Sequence, residues 1–115
     1  MHEASLAGSI LQLVEDSAQR ECFQRVTLLR LAVGRLANVD LGALRFALLA
    51  IAKGNVLEGA VLEFEEPEGQ AWCSDCSQTV GLTERGMACG LCGDYQLRIT
   101  GGTELRVIDM LVSDE

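Results

Sequence analysis

Four cysteines stand in two pairs, Cys73-Ser74-Asp75-Cys76 and Cys89-Gly90-Leu91-Cys92, each with two residues between the thiols and a spacer of 12 between the pairs. Two intervening residues let a tight turn aim both sulfurs at one cation, and two such turns supply the four thiolates of a tetrahedral Zn(II) site. Ser74, Asp75, Gly90 and Gly93 are residue types that accept the turn geometry. Four thiolates close the coordination sphere, leaving no position for water or substrate, so the metal is expected to be structural and its binding energy to serve as folding energy. An iron–sulfur cluster and a pair of redox dithiols are the chemical rivals, and four unliganded cysteines packed as hydrophobes are the bland alternative. The evenly built knuckles favour zinc. The fifth cysteine, Cys22, reads as a small hydrophobe buried near the end of a helix.

The single histidine is His2, one peptide bond from Met1. A Met-His start presents the α-amine, the amide nitrogen of residue 2 and the imidazole to one metal, and three nitrogens suit Ni(II) or Cu(II). An α-amino group, with a reference pKa of roughly 7.7 to 8.0, is available close to neutrality. Glu3 adds an amide nitrogen and a carboxylate, and Asp40 can add an oxygen if the fold brings it near. The simplest alternative is a solvated terminus, with Glu3 favouring a helix start and Asp40 capping a helix.

Residues 5 to 20 have the pattern of an amphipathic helix, with Leu6, Ile10, Leu13 and Val14 on the buried side, Ser5 as N-cap and MHEA as an extended lead-in. Arg25 to Val33 is rich in branched residues and closed by Gly34, as a strand should be. A second helix follows, with Asp40 as N-cap, Leu44, Ala47, Leu48 and Ile51 facing inward, Lys53 in the last turn and Gly54 beyond it. Residues 60 to 66 alternate, Leu62 and Phe64 on one side and Glu63 and Glu65 on the other, until Pro67 ends the strand. The stretch 68 to 98 is too poor in large apolar groups to fold by burial alone. TELRVIDMLV, residues 103 to 112, returns to strand composition.

These elements predict an α+β fold: two helices packed on a three-stranded sheet, with an inserted four-cysteine zinc-ribbon module. The expected division is a nickel-binding α+β domain at 1–67 plus 99–115 and a zinc-binding domain at 68–98. The chain's net charge of −8, from 17 acidic and 9 basic residues, speaks against a nucleic-acid partner. The longest apolar run, in LGALRFALLAIA, is broken by Arg45 and too short to span a bilayer. No export signal is visible and five cysteines fit a reducing compartment, so the expectation is a cytoplasmic protein without a membrane partner. No nucleophile motif or phosphate-cradling loop is present, and no enzyme chemistry is expected.

MHE at the start, the amphipathic helix behind it, VGRLANVDLGALRFAL in the middle and AWCSDCSQ with CGLC towards the end together resemble the HypA/HybF family of hydrogenase nickel-incorporation proteins. The similarity spans essentially the whole chain in the same order. It implies a nickel metallochaperone, monomeric or homodimeric, that passes nickel to the [NiFe]-hydrogenase large subunit together with a maturation GTPase of the HypB type. Carried over to this chain, it implies nickel at the Met1 amine, His2 and Glu3, and structural zinc at Cys73, Cys76, Cys89 and Cys92. One departure is Gly90, where family members often carry proline; glycine loosens that turn and leaves the ligands alone. The competing reading is a zinc-ribbon interaction adaptor without a second metal.

Overall fold

A stripe of small and branched residues, Ala7, Ile10, Val14 and Ser17, lies buried along α1 (His2–Glu21). Its alternation of three- and four-residue steps is that of a narrow seam between helices, and α1 packs on α2 (Leu41–Ile51). The computed structural model describes residues 2 to 115. Two expectations for α1 are corrected. Leu13 is 50% exposed, because the seam turns about Ala7 and Val14. The helix begins at His2, so residues 2 to 4 form its first turn and Ser5 sits inside it. A negative charge is favoured in that turn, and the Glu3 carboxylate is held there from outside the helix, by the Asp40 backbone N–H at 3.2 Å.

The far end of α1 corrects the reading of Cys22. Cys22 adopts φ +59 and is exposed, while the next residue, Phe23, is buried at 6% exposure. The Phe23 N–H reaches back to the Ala18 carbonyl at 3.2 Å, the closing bond of a Schellman turn in which Cys22 takes the left-handed position usually given to glycine. That turn swings the cysteine outward and the phenylalanine inward.

β1 (Arg25–Val33) is the centre of a sheet ordered β2-β1-β6, with β2 at Val61–Glu65 and β6 at Leu105–Ser113. The Gln24 N–H meets the Ser113 carbonyl, Thr27 Oγ1 the Leu111 carbonyl, and Arg30 the Asp109 carboxylate. Partners that fall in one strand as they rise in the other make β1 and β6 antiparallel. The last strand therefore rejoins the first, as expected.

α2 starts where the sequence says it should. Asp40 Oδ1 accepts the Ala43 N–H at 3.0 Å, from a residue still in extended conformation. Leu44 and Leu48 are buried, Ala47 and Ile51 half-buried. The helix stops at Ile51 with Ala52 as C-cap, so Lys53 lies past the last turn and not in it. Arg45 ties α2 to β2: Nη1 donates to the Leu62 carbonyl, and the guanidinium lies 4.8 Å above the centroid of the Phe64 ring.

Three strands in the cysteine-rich stretch have no counterpart in the sequence reading. β3 (Gly69–Cys73), β4 (Gln78–Leu82) and β5 (Leu97–Gly101) form a second antiparallel sheet ordered β4-β3-β5. Its inner face carries Ala71, Cys73, Val80 and Leu82, with Leu97 and Ile99 against them. The chain forms two compact units, residues 1–31, 39–64 and 107–115 in one and residues 32–38 and 65–106 in the other. In the second unit Leu36, 2% exposed, packs against Ala71 and Leu82. Gly34 and Gly102 meet backbone to backbone there, at a distance no side chain at residue 34 can share.

Among the described residues, no helix is long and apolar enough to cross a membrane.

Candidate metal centres

Cys73 is the last residue of β3, and the turn into β4 carries Cys76. Ser77, directly after Cys76, takes φ +51 and returns its N–H to the Ser74 carbonyl at 3.3 Å. The second knuckle shares the left-handed residue but closes one residue further back: Gly93, directly after Cys92, takes φ +79 and donates to the Cys89 carbonyl at 2.9 Å. The Cys89 N–H is fixed by the Asp94 carbonyl at 2.8 Å, and the Leu91 N–H points at Cys89 Sγ at 3.4 Å. The glycine after Cys92 was readable as a turn signal; the serine in the equivalent position after Cys76 was not.

The two knuckles bring all four sulfurs within 4.8 Å of one another. Cys73 and Cys92 are 3.6 Å apart, and Cys76 and Cys89 3.9 Å. A disulfide needs about 2.05 Å. A tetrahedron with metal–sulfur bonds of about 2.3 Å has edges of about 3.8 Å, so the observed separations bracket those of a four-thiolate site. The residues present therefore fit a metal such as zinc. Cys73 and Cys89 are buried, with Val80 beside them and Leu97 packed on the cluster, whereas Cys76 is half-buried and Cys92 exposed.

Cys76, Cys89 and Cys92 are tuned by neighbouring thiols and backbone amides. Hydrogen bonding with the Cys92 thiol, and then burial, pushes Cys76 up to about 12. Backbone N–H groups of Cys92 and Leu91 pull Cys89 down to about 7, since they stabilise its thiolate. Across the knuckles, Asp75 and Asp94 share a hydrogen bond that raises the first carboxyl and lowers the second.

At the other candidate site, His2 is exposed in the first turn of α1 and Glu3 is half-buried. Met1, expected to supply the amine, lies outside the described residues. Glu3 and Asp40 are brought together through the Asp40 backbone N–H and Glu3 Oε2, while the Asp40 carboxylate faces its own helix and caps Ala43. His2 and Glu3 are among the first four residues of a helix, whose amides have no acceptor one turn back.

Residues 1–112 match the family described as "Hydrogenase/urease nickel incorporation, metallochaperone, hypA". The hydrogenase maturation factor HypA of Polaromonas naphthalenivorans is 73% identical over 115 residues, covering 100% of both chains. That of Cupriavidus necator is 65% identical over 114 residues, covering 99% of this chain and 96% of its own. The solution structure of the Ni metallochaperone HypA from Helicobacter pylori shares the fold at a TM-score of 0.70 and 21% identity, over 98% of each chain. Matched from end to end in sequence, and carrying four clustered cysteines that can hold a metal, the chain belongs to the HypA family of metallochaperones for hydrogenase maturation and nickel incorporation.

Proposed function

We propose that the chain carries Ni(II) at its amino terminus, on the Met1 amine, His2 and Glu3, and delivers it to the large subunit of a [NiFe]-hydrogenase in the cytoplasm with a maturation GTPase of the HypB type. Cys73, Cys76, Cys89 and Cys92 hold a structural Zn(II). The nickel function belongs to residues 1–67 and 99–115, and the zinc to 68–98.

The observation that carries this reading is the helix start. Because α1 begins at His2, the amides of residues 2 and 3 are tied into no intrahelical bond, and nickel can take them with no i to i−4 bond to break. The Asp40 carboxylate is already committed to the Ala43 N–H, which supports a nickel sphere built from residues 1 to 3. A four-thiolate centre is coordinatively closed and holds its metal for folding, so exchangeable cargo needs a second site. By the affinity series Cu(II) binds a nitrogen-rich site better than Ni(II), so nickel selectivity rests on metal supply and partner docking.

The test is nickel titration of the untagged, zinc-loaded chain beside His2→Ala. One nickel per chain that disappears in the variant, with one zinc retained in both, supports the carrier. An amino-terminal tag should abolish nickel binding as well, because it converts the amine to an amide. Equal nickel uptake by wild type and variant sinks the proposal in favour of a zinc-ribbon adaptor.

A further inference from the structure

The first sheet ends on β6, and that edge is long and open. In the order β2-β1-β6, the last strand has β1 on one side and, among the described residues, no strand on the other. The Leu111 and Ser113 carbonyls are aimed at β1, where they accept from Thr27 Oγ1 and the Gln24 N–H. Backbone groups alternate along a strand, so those of Met110 and Val112 point away from β1, to the open edge. Natural edges are usually blunted by proline, lysine, a bulge or shortness. β6, LRVIDMLVS, is nine residues long and contains no proline, lysine or glycine.

The charges along this strand are unevenly satisfied. Asp109 is engaged by Arg30 of β1. Arg106 is exposed, and its guanidinium has no partner among the described residues. Asp114, exposed directly after the strand, has none for its carboxylate. Eight positions of extended chain separate the two, about 26 Å, so neither can serve the other within one molecule. Between them Leu111 is 61% and Val112 46% exposed.

We propose that β6 is a self-recognition edge: a second copy of the chain adds its own β6 antiparallel, with Met110 facing Met110 across a two-fold axis. Such an interface is isologous, so every contact occurs twice. About Met110, Ile108 meets Val112 of the second copy and Arg106 meets its Asp114. Residues directly opposite share a face, where opposite charges attract and like charges repel. Of the registers centred on residues 106 to 112, only this one gives Arg106 an acid. Centring on Arg106 or on Asp109 sets like charges face to face. Charge complementarity therefore selects both the occupant and the register. The pairing joins two three-stranded sheets into one and stops there, because the edge left on each copy is β2. That strand, VLEFE, is short and acidic, and its self-pairing about the midpoint sets Glu63 against Glu63. Two chains of net charge −8 repel at long range, so the ion pairs at the two ends of the seam decide whether it holds.

The experiment is sedimentation velocity of the untagged, zinc-loaded chain over a range of concentrations. Wild type should show a reversible equilibrium between monomer and dimer. Arg106→Asp and Asp114→Arg each turn two attractive pairs into repulsive ones and should weaken dimerisation about tenfold or more. The double variant exchanges the charges at constant net charge and should recover most of the loss, a rescue that general destabilisation does not produce. Cross-linking reads the register. In a Cys22→Ser background, which removes the exposed thiol, Met110→Cys should join two copies under oxidised glutathione. Opposed residues of a hydrogen-bonded antiparallel pair have Cα atoms about 5.5 Å apart, within reach of a disulfide. Val112→Cys, which faces Ile108 of the second copy, should stay uncross-linked.

Wild type that stays monomeric at every concentration overturns the inference. A dimer that survives both single charge variants, or that cross-links through Val112→Cys and not Met110→Cys, has its contact elsewhere and overturns it too. Should Met110→Cys fail to fold, loss in the single charge variants with recovery in the double still supports the edge, and its absence still overturns it. None of these residues belongs to either metal site, so the carrier proposal is tested separately by His2→Ala.

Discussion

The Asp40 backbone N–H donates to Glu3 Oε2 at 3.2 Å, joining the first turn of α1 to the start of α2 across 37 residues of chain. The same residue uses its side chain to cap α2 through the Ala43 N–H. Asp40 therefore serves both helix starts, one with its main chain and one with its carboxylate. Substitution separates the roles: Asp40→Ala removes the cap and should cost about 1 kcal/mol, whereas Asp40→Ser should cost a few tenths at most, since serine caps equally well and keeps the N–H. Urea unfolding of the two variants beside wild type measures the difference.

Two glycines should respond with opposite sign. Gly8 lies exposed within α1 with nothing near its absent side chain, so Gly8→Ala should stabilise the chain by about 0.5 to 1 kcal/mol through helix propensity. At Gly34 a Cβ would collide with the backbone of Gly102, which cannot rotate away, and Gly34→Ala should destabilise by about 1 to 3 kcal/mol or more. Thermal unfolding midpoints that move in the same direction for both would contradict the packing described for residue 34.

Stability should carry an acid-side signature from Arg30 and Asp109, which form a two-pronged pair at 2.7 and 2.8 Å. Hydrogen bonding and charge from Arg30 hold the Asp109 carboxyl below its ordinary value. A carboxyl depressed in the folded state contributes stability that is present above its unfolded pKa of about 3.9 and is lost as pH falls through the folded value. Wild type should therefore exceed Asp109→Asn in urea midpoint near neutrality, and the two curves should converge as pH falls through the folded value. Parallel curves down to the acid limit would show the pair to be energetically silent.

Metal removal should act locally. β3, β4 and β5 are short and share a modest core with the cysteine cluster, so chelation of zinc should strip hydrogen-exchange protection from their amides. The helical signal of α1 and α2 should persist, and zinc should restore the protection. If the protection of β3 to β5 survives a metal-free preparation, the four thiols do not supply the folding energy of that unit.

Features set by short stretches of chain were legible in the sequence. The C-x-x-C spacing forces paired thiols into one turn, and Asp40 caps α2 because its side chain needs to reach only three residues on. β1 and the returning β6 announced themselves by long runs of branched residues. The short strands β3 to β5 did not, because their inward positions include Ala71 and Cys73, side chains too small to make an alternating pattern stand out.

Tertiary structure decided what depends on a distant partner or on a single backbone angle. The start of α1 at His2 accompanies a carboxylate held from residue 40, which no local pattern encodes. Cys22 faces solvent and Phe23 the interior because one residue past the helix takes a left-handed conformation, and a turn of that kind reverses which neighbour points inward. The sequence determined by itself which groups can bind metal and at what spacing, since ligand chemistry resides in residue type and short-range geometry. Closing four sulfurs to within 4.8 Å and placing Trp72 opposite Arg98 required strand pairing, a long-range event whose register is chosen by what each face can bury.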